Sequence, residues 1–566
     1  MKNNQIKERM AAFAAAVRKR PYAAAIAAAA VVLAALLFFV MGPPRIFSGI
    51  FRDQTGLAMV QEGKGSAVQK DEERRQVLRV YTNDATGVIN PAYASSAGDR
   101  AVSAVIFEPL MRKSVDGKLE PVLARQVRMA EDGATCTIQL KKNIRFSDGQ
   151  ALTARDAAFS IAAMCVTAEE GSGPYGNIQG VRAFREGAGE LPEGIRVTDE
   201  LTVELAFETP SPDNLRILET KIQERPENLT SGFLPVLQQL SMDGTGTGAY
   251  QKVRIRDGSG IRLETNEFYR GKIRDIKAVE FVTYGTYEMG TVIDEQRIDA
   301  AFFSAESALF DRFFSAKQFT IYEKPGAGLF YMALNRNNRQ LYIPAVRRAI
   351  ALSIDRDRFA GGNLSAYMVK AEAIGPEDSI YAGGENMALN REKAKKLMEE
   401  AGEKYGSLKG RLRLPVLAGN KNQETLAKAV KSDLKDIGFD VDIELLDQAA
   451  YLRQVYMLQD FDLILSGTGG WDDPSAWDGL AEDMQGLPTA CNSNELNAAL
   501  GELSTAYSEK ALTAAWKKAA DVAALQVPVV PLARPKQFLA VSADLSGYRI
   551  TRYDDFFVNI QDIRVK

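Results

Sequence analysis

The 566-residue chain contains no histidine. That removes the usual general base of hydrolytic triads, both imidazoles of an HExxH zinc site, and imidazole from any other ligand set. Cysteine is nearly as scarce. Cys136, Cys165 and Cys491 lie far apart and form no CxxC pair, so buried structural thiols are expected, with a Cys136–Cys165 disulfide as the alternative open to an exported chain. An excess of positive charge is also missing. Lys and Arg number 70 against 73 Asp and Glu, a formal net charge of −3, and beyond the first twenty residues no cation cluster suits phosphate neutralisation, so no nucleic-acid partner is expected. With no recognisable metal or nucleotide motif, no cofactor is expected either.

What is present starts with length. A chain of this size exceeds a single core and calls for two or three domains, while 46% hydrophobic and 25% charged residues are ordinary for a soluble globular protein. The N-terminus differs from the rest. Residues 1–20 carry Lys2, Lys7, Arg9, Arg18, Lys19 and Arg20 against the single Glu8, and the stretch Tyr22 to Met41 has no charge. At ~1.5 Å per residue it would span ~30 Å, the thickness of a bilayer's hydrocarbon core. The expectation is a cytoplasmic basic tail (1–20), one transmembrane anchor (21–42) and a polar linker (43–76) holding the remainder outside the cytoplasm, at the cell membrane. A cleaved signal peptide is the competing reading; no small-x-small site follows the apolar run.

Further on, residues 135–165 show how the globular part is written. Cys136, Ile138 and Leu140 alternate with Thr135, Thr137 and Gln139, the period of a strand with one buried face. Ser147-Asp148-Gly149 supplies a turn. Thr153 with Asp156 then resembles a capping box, and Ala158, Ile161, Ala162 and Cys165 recur at helical spacing. Strands are also expected at 77–81, 197–207 and 461–465. Leu412–Leu417, Glu424–Ile437 and Val441–Leu445 read as a βαβ unit with a parallel pair.

The wording of the 140–160 stretch, Leu-Lys-Lys-Asn-Ile-Arg-Phe-Ser-Asp-Gly-Gln-Ala-Leu-Thr-Ala-Arg-Asp-Ala-Ala-Phe-Ser, resembles the signature of the bacterial extracellular solute-binding proteins, family 5, the oligopeptide, dipeptide and nickel class that serves ABC importers. Other blocks follow in the family's order: Phe107-Glu108-Pro109-Leu110; Asp116 to Ala124; Gly244 to Tyr250 with Ile261 to Gly271; Tyr331 to Asn335; Val346 to Arg356; Ala394 to Gly402; and the closing Val527 to Leu532 and Leu545 to Tyr548. The glycine run at 244–248 lacks the Gly-Lys-Ser/Thr ending that a phosphate loop requires. A lipoprotein cysteine after the apolar run, common among Gram-positive relatives, is missing.

The resemblance implies an α/β, two-lobed, periplasmic-binding-protein-like (type II) fold with an extra domain inserted in lobe 1. Lobe 1 would comprise 77–109, 205–325 and 526–566, the inserted domain 110–204, and lobe 2 326–525. It also implies no catalysis, a monomer, and a peptide or other small polar solute held between the lobes for ABC permease subunits in the membrane. In peptide-binding relatives a phrase like Gly-Trp-x-x-Asp-Tyr-x-x-Pro supplies an Asp that pairs with the ligand's α-ammonium. Aligned on Pro474, that position falls on Gly470 and the following aromatic on Trp471. The carboxylate is therefore absent there, with Asp472 and Asp473 just beyond it. Gly470, Trp471, Asp472 and Asp473 are the first ligand candidates, and Tyr250, Tyr175 and Tyr93 are carried over by position. For Asp472 and Asp473 a solvated or helix-capping role is the alternative. A non-transport sensor or envelope chaperone on the same fold, and a carboxylate-dependent hydrolase, are the rival functions. The missing histidine weighs against a nickel or haem ligand.

Overall fold

The computed structural model describes residues 57–65, 72–114, 117–167, 173–227, 232–256, 260–285, 287–304, 309–325, 328–358, 368–375, 382–469, 477, 479–481, 487–491, 493–551, 553 and 556–566. The expected tail and anchor at 1–42 lie outside them. Among the described residues no helix is long and apolar enough to cross a membrane.

The first strand, β1 (Ala58–Gln61), lies inside the stretch expected to be a linker and pairs antiparallel with Ile321–Glu323 further along the chain. That corrects the tether reading of 43–76. Three of the four β1 side chains are exposed, so the strand is held by main-chain pairing at a sheet edge and leaves no hydrophobic alternation for a sequence to display. Next, β2 (Val77–Tyr81) is buried along four of its five residues. Helix α1 (Ala97–Ile106) starts from Ser96, whose hydroxyl accepts the Asp99 N–H. The Ala97 and Gly98 amides donate to Asp84, which places a carboxylate at the positive end of the helix.

The segment expected as an inserted domain contains β3 (Ala124–Met129), β4 (Thr135–Leu140), α2 (Ala154–Thr167), β5 (Ile195–Asp199) and β6 (Thr202–Ala206), with an antiparallel sheet in the order β3-β4-β6-β5. Cys136, Ile138 and Leu140 face inward as their alternation predicts, and Ala158, Ile161, Ala162 and Cys165 of α2 are buried. The capping box is formed in part: Asp156 accepts from both the Thr153 N–H and its hydroxyl and, with its other oxygen, from the Arg225 amide at 2.9 Å. The core of this segment also takes in Ile217, Leu218 and Ile222. Cys136 and Cys165 are buried free thiols, as is Cys491. Burial pushes the first two up to about 12, and the disulfide alternative is not realised.

Lobe 1 resumes with β7 (Tyr250–Arg256), β8 (Gly260–Thr265), β9 (Ala278–Val282), α3 (Met289–Asp294), β10 (Ala300–Ser304), α4 (Phe310–Ser315) and β11 (Phe319–Pro325). Lobe 2 follows with β12 (Gly328–Leu334), α5 (Pro344–Ser353), β13 (Met368–Lys370), α6 (Arg391–Tyr405), β14 (Gly410–Leu417), α7 (Lys421–Lys435), β15 (Phe439–Leu446), β16 (Leu463–Gly469), α8 (Asn494–Ser504) and α9 (Glu509–Gln526). β14 and β15 pair in parallel across α7, as the βαβ spacing predicts.

The last long strand, β17 (Val530–Ser542), belongs to both lobes. Its first residues pair with β12 and β13, while Lys536 to Ser542 pair with β11 and, in part, β10. An eleven-stranded sheet results, ordered β1-β11-β17-β10-β2-β9-β8-β7, with β12, β13 and β16 joined to it through β17. The chain crosses between lobes twice, from β11 into β12 and along β17. Val527, Val529, Val530, Leu532 and Ala533 pack in the lobe 2 core, so lobe 2 reaches past the expected boundary at 525.

Four arginines hold the approach to β17. Arg336 donates to the Val527 and Pro528 carbonyls, Arg347 to Gln526 and Tyr342, Arg348 to Ala524, and Arg356 to Pro531 and Met387. Cations at the C-terminal end of α9 meet the negative end of its dipole. Burial first, and the Arg347 charge second, push Arg336 down to about 9. The chain leaves α9 through Val527, at φ 50°, a left-handed conformation that a β-branched residue adopts only when its surroundings impose it.

Candidate ligand cleft at the lobe crossing

Strand β16 brings the decisive loop to the crossing. Among the described residues it pairs on one side only, with β12, in a register running from Leu463↔Leu334 to Gly469↔Gly328. Gly328 is the first described residue after the first lobe crossing. Gly469, the last residue of β16, therefore lies beside that crossing, and on its other side the strand runs next to β14, with the Asp462 N–H donating to the Arg413 carbonyl at 3.0 Å and Gln423 Nε2 to the Leu465 carbonyl at 3.3 Å. Ser466 sits opposite Tyr331 and bonds to its hydroxyl; burial raises the Tyr331 pKa.

Beyond these residues, Trp477 is fixed in the core. Trp477 is 1% exposed and meets Trp516 edge-on, with ring centres 5.9 Å apart. A Cβ at Gly375 would stand 2.8 Å from the Trp477 ring, so glycine is needed for that close approach. Arg534 of β17 donates to the Ile374 and Gly375 carbonyls at 2.6 and 2.9 Å, which ties this platform to the strand shared by the lobes. Lys536 and Glu323 form a largely buried ion pair at 3.0 Å just past the crossing. Gly470, Trp471, Asp472 and Asp473 lie outside the described residues. Trp477, the buried anchor of their loop, was not singled out from sequence; an aromatic three residues after a proline carries no distinguishing signal.

The three tyrosines pack in different core clusters. Tyr250 is buried in the lobe 1 core, its hydroxyl donating to the Ile276 carbonyl at 3.0 Å and raised by burial. Tyr175 packs on the inserted-domain core, with its hydroxyl 2.9 Å from Thr220 Oγ1 and pushed up to about 12, mainly by burial. Tyr93 packs beside Phe159 and Leu237, and its buried hydroxyl has no hydrogen-bond partner among the described residues.

Several of the sequence blocks meet as framework. Glu108 of the Phe-Glu-Pro-Leu block takes Arg270 bidentately, at 2.5 and 2.8 Å, and accepts the Thr247 hydroxyl at 2.9 Å. The glycine run packs against the C-terminal end of α1: the Gly248 N–H donates to the Ile106 carbonyl at 2.9 Å, and Cβ atoms at Gly246 and Gly248 would stand 2.1 and 2.3 Å from the Ile106 and Val105 oxygens. Those glycines admit a close main-chain approach rather than a phosphate. Asn335 donates to the Phe461 carbonyl at 2.7 Å, and Arg347, Arg348 and Arg356 belong to the α9–β17 junction described above. Among the described residues no group of His, Cys, Asp and Glu could hold a metal ion. One pair of carboxyls is drawn together where the inserted domain returns: burial, and then the adjoining Asp148, raise Glu224 to about 7.

Comparison with known proteins agrees with this architecture. The unliganded, open form of the periplasmic murein tripeptide-binding protein MppA superposes with a TM-score of 0.72 at 21% identity, covering 89% of this chain and 99% of that one. A nickel ABC transporter structure from Bacillus halodurans gives 0.69 at 17% identity, over 87% and 100%. By sequence, the chain is 23% identical over 412 residues to the dipeptide-binding protein of Escherichia coli K12, 68% of this chain and 74% of that protein. It is 20% identical over 502 residues to the oligopeptide-binding protein OppA of Bacillus subtilis 168, over 83% and 89%. The family model for "Bacterial extracellular solute-binding proteins, family 5 Middle" matches residues 118–482, well over half of the sequence, and the chain belongs to the bacterial extracellular solute-binding proteins, family 5.

Proposed function

We propose that the protein is a membrane-anchored, extracytoplasmic receptor that captures a peptide or similar medium-sized polar solute between its lobes and hands it to ABC permease subunits. It acts as a monomeric binder and not as a catalyst. What supports the reading is the family's two-lobed fold together with the register that sets Gly469 of β16 opposite Gly328, where the chain passes between lobes. A peptide held extended between the lobes gains main-chain hydrogen bonds without regard to its sequence, and roomy pockets then take its side chains. Closing two lobes over the ligand excludes water and strengthens each polar contact inside.

Within that reading Trp471 lies against the ligand, an amphipathic ring at a cleft lip, and Asp472 or Asp473 supplies the carboxylate for an α-ammonium that Gly470 lacks. Tyr93, with its unpartnered hydroxyl, is the tyrosine best suited to a ligand contact. Residues 21–42 form the retained anchor, and names such as "Dipeptide-binding protein" and "Oligopeptide-binding protein OppA" among the relatives favour peptides.

Titration of the purified protein with defined di-, tri- and oligopeptide pools, followed by tryptophan fluorescence and thermal shift, tests this. Saturable binding that Asp472→Asn with Asp473→Asn weakens for free-amine peptides, but not for N-acetylated ones, is expected. If no peptide pool shifts the melting temperature or the fluorescence, peptide capture is refuted.

A further inference from the structure

A cavity of about 280 Å³ opens on one face of the lobe 1 sheet, away from the lobe crossing, lined by residues of β2, β8 and β9 with Tyr284 and Arg297. Arg79, Glu280 and Arg262 stand side by side across three strands, Arg79↔Glu280 and Glu280↔Arg262 being register partners. Glu280 is 3% exposed. One of its oxygens takes Arg79 Nε and the other Arg262 Nη1, each at 2.8 Å.

One buried carboxylate is thus flanked by two guanidiniums, and a third, Arg297, lies 5.0 Å from the centre of the Tyr284 ring. Three cations line the cavity with one anion. Other carboxylates face these arginines from the rim. Glu264 accepts from Arg262 Nε at 3.3 Å and is 48% exposed, and Glu295 is 4.0 Å from Arg297 and 60% exposed. At that exposure solvent and salt screen them strongly. Only the Nε of Arg79 is engaged by Glu280, and Arg297 donates no hydrogen bond among the described residues, so planar donor groups remain to be matched. Such forks fit the oxygens of a phosphate group closely.

We propose that this cavity is an anion site for a phosphate-bearing ligand. It is separate from the interlobe cleft and does not depend on the cleft's proposed role. The shared chemistry is a phosphate group, whether on a small soluble monoester or on a lipid headgroup.

The test uses the full chain at constant ionic strength. Calorimetry with inorganic phosphate and glycerol phosphate addresses the soluble source. Co-sedimentation with phosphatidylglycerol vesicles, against phosphatidylcholine vesicles, addresses the lipid source. Arg297→Gln touches no buried ion pair and is expected to weaken binding about tenfold, the loss of one charge-assisted contact. Glu280→Gln removes the competing carboxylate and is expected to tighten binding severalfold, a gain that a merely structural role for the ladder would not give. Phosphate binding alone assigns a soluble ligand, and binding to phosphatidylglycerol vesicles alone assigns a headgroup. The proposal is overturned if neither probe binds saturably, or if Arg297→Gln binds as tightly as the parent.

Discussion

Arg356 offers the sharpest test of how the shared strand is held. Its guanidinium is 2% exposed and donates to the carbonyls of Pro531 at 2.8 Å, Met387 at 2.5 Å, Ala351 at 3.2 Å and Ile354 at 3.3 Å. Arg356→Met keeps an unbranched side chain in the space and strips the donors. The two short bonds, each from a charged donor, are worth ~1.5–3 kcal/mol apiece. Removing a buried charge returns part of its desolvation cost, which leaves a net loss of about 2–4 kcal/mol. For a lobe of this size that is a fall in melting temperature of roughly 5–12 °C. Calorimetry would read the global change, and amide hydrogen exchange would locate it: faster exchange at Val530, Leu532 and Ala533, with Phe538 to Val541 unchanged. Arg356→Lys, which offers a point charge without a fork, should recover less than half of the loss. A variant melting within ~1 °C of the parent, or exchange that rises equally along all of β17, would refute the reasoning.

Three further outcomes are expected. Glu224, raised to about 7 by burial and the neighbouring Asp148, binds a proton in the folded state that the unfolded chain has already released between pH ~4.5 and ~7, so stability falls as pH rises through that window; Glu224→Gln should flatten the urea-midpoint profile there and, after allowance for solvent screening, stabilise by about 1 kcal/mol at pH 7.5, and an unchanged profile would count against the pair. Trp477→Ala removes the buried anchor beside Trp516 and Gly375 and should cost ~3–5 kcal/mol, with peptide affinity lost before the fold is. Gly248→Ala drives a methyl group against the Val105 and Ile106 carbonyls and should lower the denaturant midpoint by at least 2 kcal/mol equivalent, whereas Gly501→Ala, with open space around it, should be neutral or stabilising.

Much of the architecture was legible because it follows local rules. The alternation of Cys136, Ile138 and Leu140, the Ser-Asp-Gly turn, helix α2 and the parallel β14–β15 pair all rest on periodicity and turn chemistry within about thirty residues. What escaped was decided at long range. β1 is a four-residue edge strand with its apolar Met59 and Val60 exposed, its partner lies some 260 residues downstream, and no pattern within AMVQ reveals it. The division of β17 between lobes follows from which strands reach it, so a boundary drawn from sequence at 525 fell short. At the candidate site, the stretch 466–477 was visible in the wording of the chain, but the burial of Trp477 was not, since it is defined by Gly375 and Trp516. Tyr250 and Tyr175 show the converse: nearness in sequence to cleft-lining blocks does not bring a hydroxyl into a cleft when an internal carbonyl or threonine engages it.

The strand that serves both lobes follows, along the chain, every strand it pairs with, and this sets an order on synthesis. Until residues 530–542 have left the ribosome, β11 and β12 each lack a neighbour on one side, and Arg356 lacks the Pro531 carbonyl. Each half therefore stays open until the shared strand arrives, and the two complete their sheets within the same short interval.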